Sequence, residues 1–156
     1  MFQLPPVTKG KERVKLILNV EAQKSYHLKY PWILRVLFYC ARMVSEQKDT
    51  EFRHDDYGDL KKVYSIWIFM ESPEYAAHTI SSYTIAHNNL YGEYVEKERY
   101  DLINVIAVRL ALNEHLEGGG ELHQMLETLF SSKMTIREKE EKLEIYIRNG
   151  PRLGNK

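Results

Sequence analysis

Apolar and polar positions alternate along the chain in two distinct rhythms. From Arg13 to Gln23 the apolar residues Val14, Leu16, Ile17, Leu18 and Val20 crowd into a short β-branched run, read as a central strand apolar on both faces. Residues 1–11 carry Pro5, Pro6 and Gly10 and read as a strand remnant followed by a turn. Pro31 suits the first turn of a helix. From Trp32 to about Gln47, Ile33, Leu34, Leu37, Phe38, Cys40, Ala41 and Val44 recur at helical spacing. A polar loop over Lys48–Asp59 follows. Val63–Met70 is almost wholly apolar or aromatic and belongs at a sheet centre.

The second half is read the same way. Thr79–Ala86, with Ile80, Tyr83 and Ile85, predicts a strand, and Asn88, Asn89 and Gly92 mark a turn. The first part of Tyr100–Leu112 predicts another strand. Gly118, Gly119 and Gly120 form a flexible break. A helix is expected over Glu121–Ser131, with Leu122, Met125, Leu126 and Leu129 on one stripe. Thr135 and Glu138 make a capping box for a last helix that ends near Asn149-Gly150-Pro151. The order strand, strand, helix, strand, strand, strand, helices predicts an α/β fold with a mixed central sheet flanked by helices. The organisation is a core over residues 1–115 and a C-terminal helical extension of the same domain over 116–156.

Composition narrows the class. With 156 residues, 44% hydrophobic and 28% charged, the chain supports one packed domain rather than disorder. The single cysteine, Cys40, excludes an intramolecular disulfide and fits a reducing compartment. No apolar run reaches the roughly 20 residues of a membrane span, and no secretory signal is visible. A cytoplasmic location without membrane partners is expected. Net charge is zero, yet residues 1–50 hold 9 Lys and Arg against 4 Asp and Glu. That surplus of basic residues suits a cationic face for DNA, or is an ordinary fluctuation of surface charge. The six His and one Cys show no zinc spacing.

The chemistry centres on Glu21-Ala22-Gln23. Side chains alternate along a strand, so Asn19, Glu21 and Gln23 share a face. A carboxylate near the end of an apolar strand needs a partner, solvent or a metal. Magnesium takes hard oxygens, and the Ala22 carbonyl adds one to the Glu21 carboxylate. The bland alternative is a strand-end Glu that meets solvent or the adjacent Lys24. Tyr26, His27 and Tyr30 lie just beyond, where they either pack or touch unpaired bases.

The ordered blocks ILNVEAQKSYHLKYPWILRVLFYCARMVSEQ, KKVYSIWIFMESPEYAAHTISSYTI, NNLYGEY, RYDLINVIAVRLAL and ELHQMLETLFSSKMT resemble the PD-(D/E)XK nuclease family transposases. The similarity runs over roughly residues 12–145. It implies a restriction-endonuclease-like core and a metal-dependent DNA endonuclease tied to recombination or transposition. On that resemblance Glu21 and Ala22 hold Mg2+ or Mn2+, and Glu21 and Gln23 are catalytic. Lys24, Arg35, Tyr39 and Gln47 contact DNA, the last three matching the family's R…Y…Q pattern. The alternative for Tyr39 is a core aromatic, and for Arg35 and Gln47 solvated helix positions.

The family's first acid, an Asp, falls upstream of Phe2-Gln3-Leu4, and no Asp occurs here before Asp49. The tail IYIRNGPRLGNK also departs from the family. The expectation is a metal-dependent endonuclease-like domain truncated at its N-terminus, inactive if the missing Asp is indispensable, or active with that carboxylate supplied by a nearby acid such as Asp55 or Asp56, or by a second chain. The alternatives are a catalytically dead module that binds DNA or assembles with itself or an intact relative as a dimer, and a non-functional mobile-element remnant.

Overall fold

The computed structural model describes residues 7–9, 12–14, 17–112 and 118–149. Pro5, Pro6, Gly10, Leu16 and the helix stop at Gly150-Pro151 lie outside the described residues. Strands β1 (Val7–Lys9) and β2 (Glu12–Val14) pair antiparallel, Val7 opposite Val14, as a separate two-stranded sheet. Strand β3 (Ile17–Ser25), helix α1 (Trp32–Ser45), a short 3-10 turn (Tyr57–Asp59), β4 (Val63–Glu71), β5 (Thr79–Thr84) and β6 (Ile103–Arg109) follow. The chain then forms helices α2 (Glu121–Phe130) and α3 (Ile136–Asn149). The main sheet has the order β3-β4-β6-β5, so the architecture is α/β with a four-stranded mixed sheet flanked by helices.

Strand directions follow from the bonds. Ile17 N–H donates to the Lys62 carbonyl and Val63 N–H to Leu102, each start to start. Leu110 N–H donates to Phe69 at the far end. The strands β3, β4 and β6 therefore advance together. Arg109, ending β6, reaches Thr79 and Ser81 at the start of β5, so β5 runs the other way.

The inner strands carry the apolar core. Val63, Trp67 and Phe69 of β4 and Ala107 of β6 are fully buried, as an inner strand between two neighbours demands. The expectation that β3 is a central strand, apolar on both faces, needs correction. It is an edge strand, and its residues alternate: Asn19, Glu21 and Gln23 are half-buried while Val20, Ala22 and Lys24 are exposed. An edge strand tolerates the polar positions that an inner one would not.

The chain divides into two compact units. The first comprises Met1–Glu21, Leu28–Trp67 and Ser82–Ile106, the second Ala22–His27, Ile68–Ser81 and Ala107–Lys156. In the first, α1 buries Val36, Cys40 and Met43 at i, i+4 and i+7, and Gln47 continues that stripe just past the helix. Leu34, Leu37 and Phe38 face outward, a departure from the expected stripe. Arg99 ties the long segment before β6 to the Gly58 and Leu60 carbonyls, at 2.8 and 3.2 Å. Lys62 pairs with Asp101, and that hydrogen bond holds the Asp101 carboxyl below its usual range.

In the second unit, α2 and α3 pack together: Lys139 Nζ donates to the Leu129 carbonyl and Tyr146 Oη to Gln124 Oε1. The capping box is present. Thr135 Oγ1 accepts the Glu138 N–H at 3.3 Å, and Glu138 Oε2 accepts the Thr135 N–H at 2.7 Å. The stripe expected on α2 is displaced. His123 and Thr128 are its buried residues, while Leu129 is 48% exposed. No helix among the described residues is long and apolar enough to cross a membrane.

Candidate functional site

The first unit contains a cleft of about 220 Å³ lined by Asn19, Glu21, Tyr39, Arg42, Met43 and Glu46. The alternation of β3 puts Asn19 and Glu21 on one face, and the helical period of α1 puts Arg35, Tyr39 and Arg42 on one flank at i, i+4 and i+7. Arg35 Nη2 donates to Glu21 Oε1 at 2.5 Å. Its guanidinium also lies over the Tyr39 ring at 5.4 Å and over Trp67 at 5.2 Å. The hydrogen bond with Tyr39 raises the Arg35 pKa above its ordinary value, against burial and with help from Glu21. Arg35 is therefore a permanently charged group of fixed orientation.

Beneath the cleft, Trp67 Nε1 donates to Ser65 Oγ at 2.9 Å, and Asn19 Nδ2 reaches the same oxygen at 3.5 Å. Burial pushes the Cys40 thiol up, so it stays protonated and serves as packing. Along the rim, Arg42 pairs with Glu46 at 2.6 Å. The cleft is thus lined by two carboxylates, Glu21 and Glu46, each paired with a guanidinium group, Arg35 and Arg42.

Of the residues singled out in the sequence, Glu21, Arg35 and Tyr39 are brought together. Ala22, Gln23 and Lys24 belong to the second unit, where exposed Lys24 meets Glu71 at 3.8 Å. Gln47 is placed differently from a DNA contact. It is 1% exposed; its Oε1 accepts the Lys61 N–H at 2.7 Å and its Nε2 donates to the Lys61 carbonyl at 3.1 Å. With both ends of the amide engaged inside the fold, it braces the chain before β4. Tyr26 also packs: its ring meets Phe69 at 5.3 Å and Tyr75 at 6.4 Å. Tyr30 and His27 are exposed, and exposed Asp55 and Asp56 do not line the cleft. The sequence reading missed Asn19's bond to Ser65 and the Arg42–Glu46 rim. The i, i+7 spacing of Arg35 and Arg42 is the signal that was available.

Among the described residues no three His, Cys, Asp or Glu side chains converge on one point. That donor chemistry does not make an all-protein cage. It fits a magnesium that arrives with phosphate, because such ions are commonly held by one or two carboxylates, water and substrate oxygens. Glu21 would be the carboxylate of such a site. No protein-family model, curated protein or solved structure matches the chain.

Proposed function

We propose that this chain is a restriction-endonuclease-like domain of the PD-(D/E)XK transposase type, which hydrolyses DNA phosphodiesters with magnesium or manganese. The observation that carries the reading is the Glu21–Arg35 pair, with Arg35 held against the two cleft residues Glu21 and Tyr39. These are three of the residues that the resemblance assigns to the site. Glu21 would hold the metal, whose chemistry there would be to polarise a phosphoryl oxygen and acidify a water. Arg35 shifts from carboxylate to phosphate oxygen, for which its planar fork is suited. Tyr39 keeps the guanidinium oriented while that exchange takes place. Supercoiled plasmid should be nicked in magnesium or manganese, spared when the metal is chelated, and nicked again when manganese is restored. Failure of a folded chain to nick under either metal contradicts the reading.

A second reading is favoured by one observation: both carboxylates of the cleft are already neutralised by guanidinium groups. The domain is then a DNA-binding module without cleavage. Both readings predict that Arg35→Ala weakens DNA binding and flattens the logarithmic salt dependence by about one unit, as expected for one lost phosphate contact. Fluorescence anisotropy between 50 and 200 mM salt, roughly the range over which such contacts are felt, measures it. An unchanged slope removes Arg35 from the DNA-facing set.

A further inference from the structure

The second unit buries a histidine ring at the start of α2. His123 occupies the third position of the helix and is 5% exposed. Its Nδ1 accepts the N–H of Gly120, the residue that caps α2, at 3.3 Å. An accepting nitrogen carries no proton, so in the neutral ring the proton sits on Nε2. That Nε2 is buried, and the ring also interacts with the Thr79 backbone. The ring therefore completes the helix start in one protonation state only.

The surroundings leave the ring little room. A Cβ at Gly119 would stand 2.8 Å from the His123 Cβ, and one at Gly118 2.9 Å from His78 Nδ1. Both glycines have positive φ, 155° at Gly118 and 78° at Gly119. The His78 and His123 rings meet edge to face at 5.9 Å. His78 Nε2 donates to Glu127 Oε1 at 3.1 Å, and the same oxygen accepts the Ala111 N–H at 3.1 Å.

We propose that His123 is an acid-sensitive latch: a solvent proton taken up at Nδ1 replaces an acceptor by a donor facing the Gly120 N–H, and the first turn of α2 opens. Two N–H groups then point at each other, and a positive charge stands at the positive end of the helix dipole. The groups around the ring come from several elements. Burial opposes the charge most, and His78, before β5, opposes it too. The Thr79 carbonyl of β5 and Glu127 of α2 favour it. Arg109 of β6 is held by Thr79 Oγ1 and Ser81 Oγ, and Glu121 is exposed on the first turn. The balance places His123 below its ordinary 6.5. The latch is closed at neutral pH, and stability falls as pH drops below the unfolded value until the folded value is passed.

The test uses the whole chain without DNA or metal. Histidine ring resonances and amide exchange are followed from neutral pH to about pH 5, where neutral and charged imidazole exchange places. His123 should titrate below 6.5, and first-turn protection, corrected for intrinsic exchange, should fall with the same midpoint, by up to about tenfold per pH unit for one proton. His123→Gln keeps an acceptor for the Gly120 N–H and does not titrate, as in a capping box; protection should persist in acid. Acid loss of protection unchanged in His123→Gln overturns the latch. So does a wild-type midpoint that differs from that of the ring, which settles the matter even if the variant does not fold.

Discussion

Gln47 is the residue whose role is most readily measured. Its amide closes a two-way bond with the Lys61 backbone. Gln47→Ala leaves a buried N–H and a carbonyl without that partner, and each such loss costs on the order of 1–3 kcal/mol. Urea denaturation should show a fall of about 2 kcal/mol with little change in slope. A shift under about 0.5 kcal/mol would place Gln47 among ordinary surface positions. Nothing in the sequence around EQKD reveals this burial, because the residue that completes the bond lies 14 positions away. Glu21 and Arg35, also 14 apart, were singled out through the family's pattern, and their contact required the strand-to-helix packing.

At the scale of elements, local chemistry was legible and packing was not. The limits of α1 and β4 follow from Pro31 and from the VYSIWIFM run, and both elements form where expected. The strand expected over Arg13–Gln23 resolves into β2 and β3, and β3 lies at the sheet edge, because an apolar run does not state how many neighbours it has. On α2 the leucine pattern pointed to one face, yet His123 and Thr128 are its buried residues, and the close approach of His123 depends on the missing Cβ of Gly119. The α3 capping box is wholly local and was read from Thr135 and Glu138. The Thr135 N–H, chiefly, lowers the Glu138 pKa. Its contribution is present above the ordinary carboxylate range and is lost as pH falls through the folded value. Thr135→Ala should lower stability by about 1 kcal/mol. Glu138→Gln, which does not titrate, should flatten the acid loss of helix signal in far-ultraviolet circular dichroism; an acid profile identical to wild type would contradict the box.

For the whole molecule, the α/β class and a mixed sheet flanked by helices were readable from the order of elements; the division into a four-stranded sheet and a separate two-stranded one was not, since the order alone put five strands in one sheet. The basic surplus of the first fifty residues is partly matched by the chain's own acids: Lys24, Arg35 and Arg42 each meet a carboxylate. Charge counting alone could not show this. The Glu21 cleft ties the proposed chemistry to a small set of groups, of which Glu21 is the one whose removal separates hydrolysis from binding. The decisive measurement is magnesium- or manganese-dependent nicking of supercoiled plasmid by the wild-type chain beside Glu21→Ala, both confirmed as folded. The account predicts nicking by the wild type and a loss of at least about a hundredfold in the variant, the scale of removing an essential electrostatic group. Equal nicking by both proteins would contradict Glu21 as the metal-holding acid, and no nicking by either would overturn DNA hydrolysis as the function.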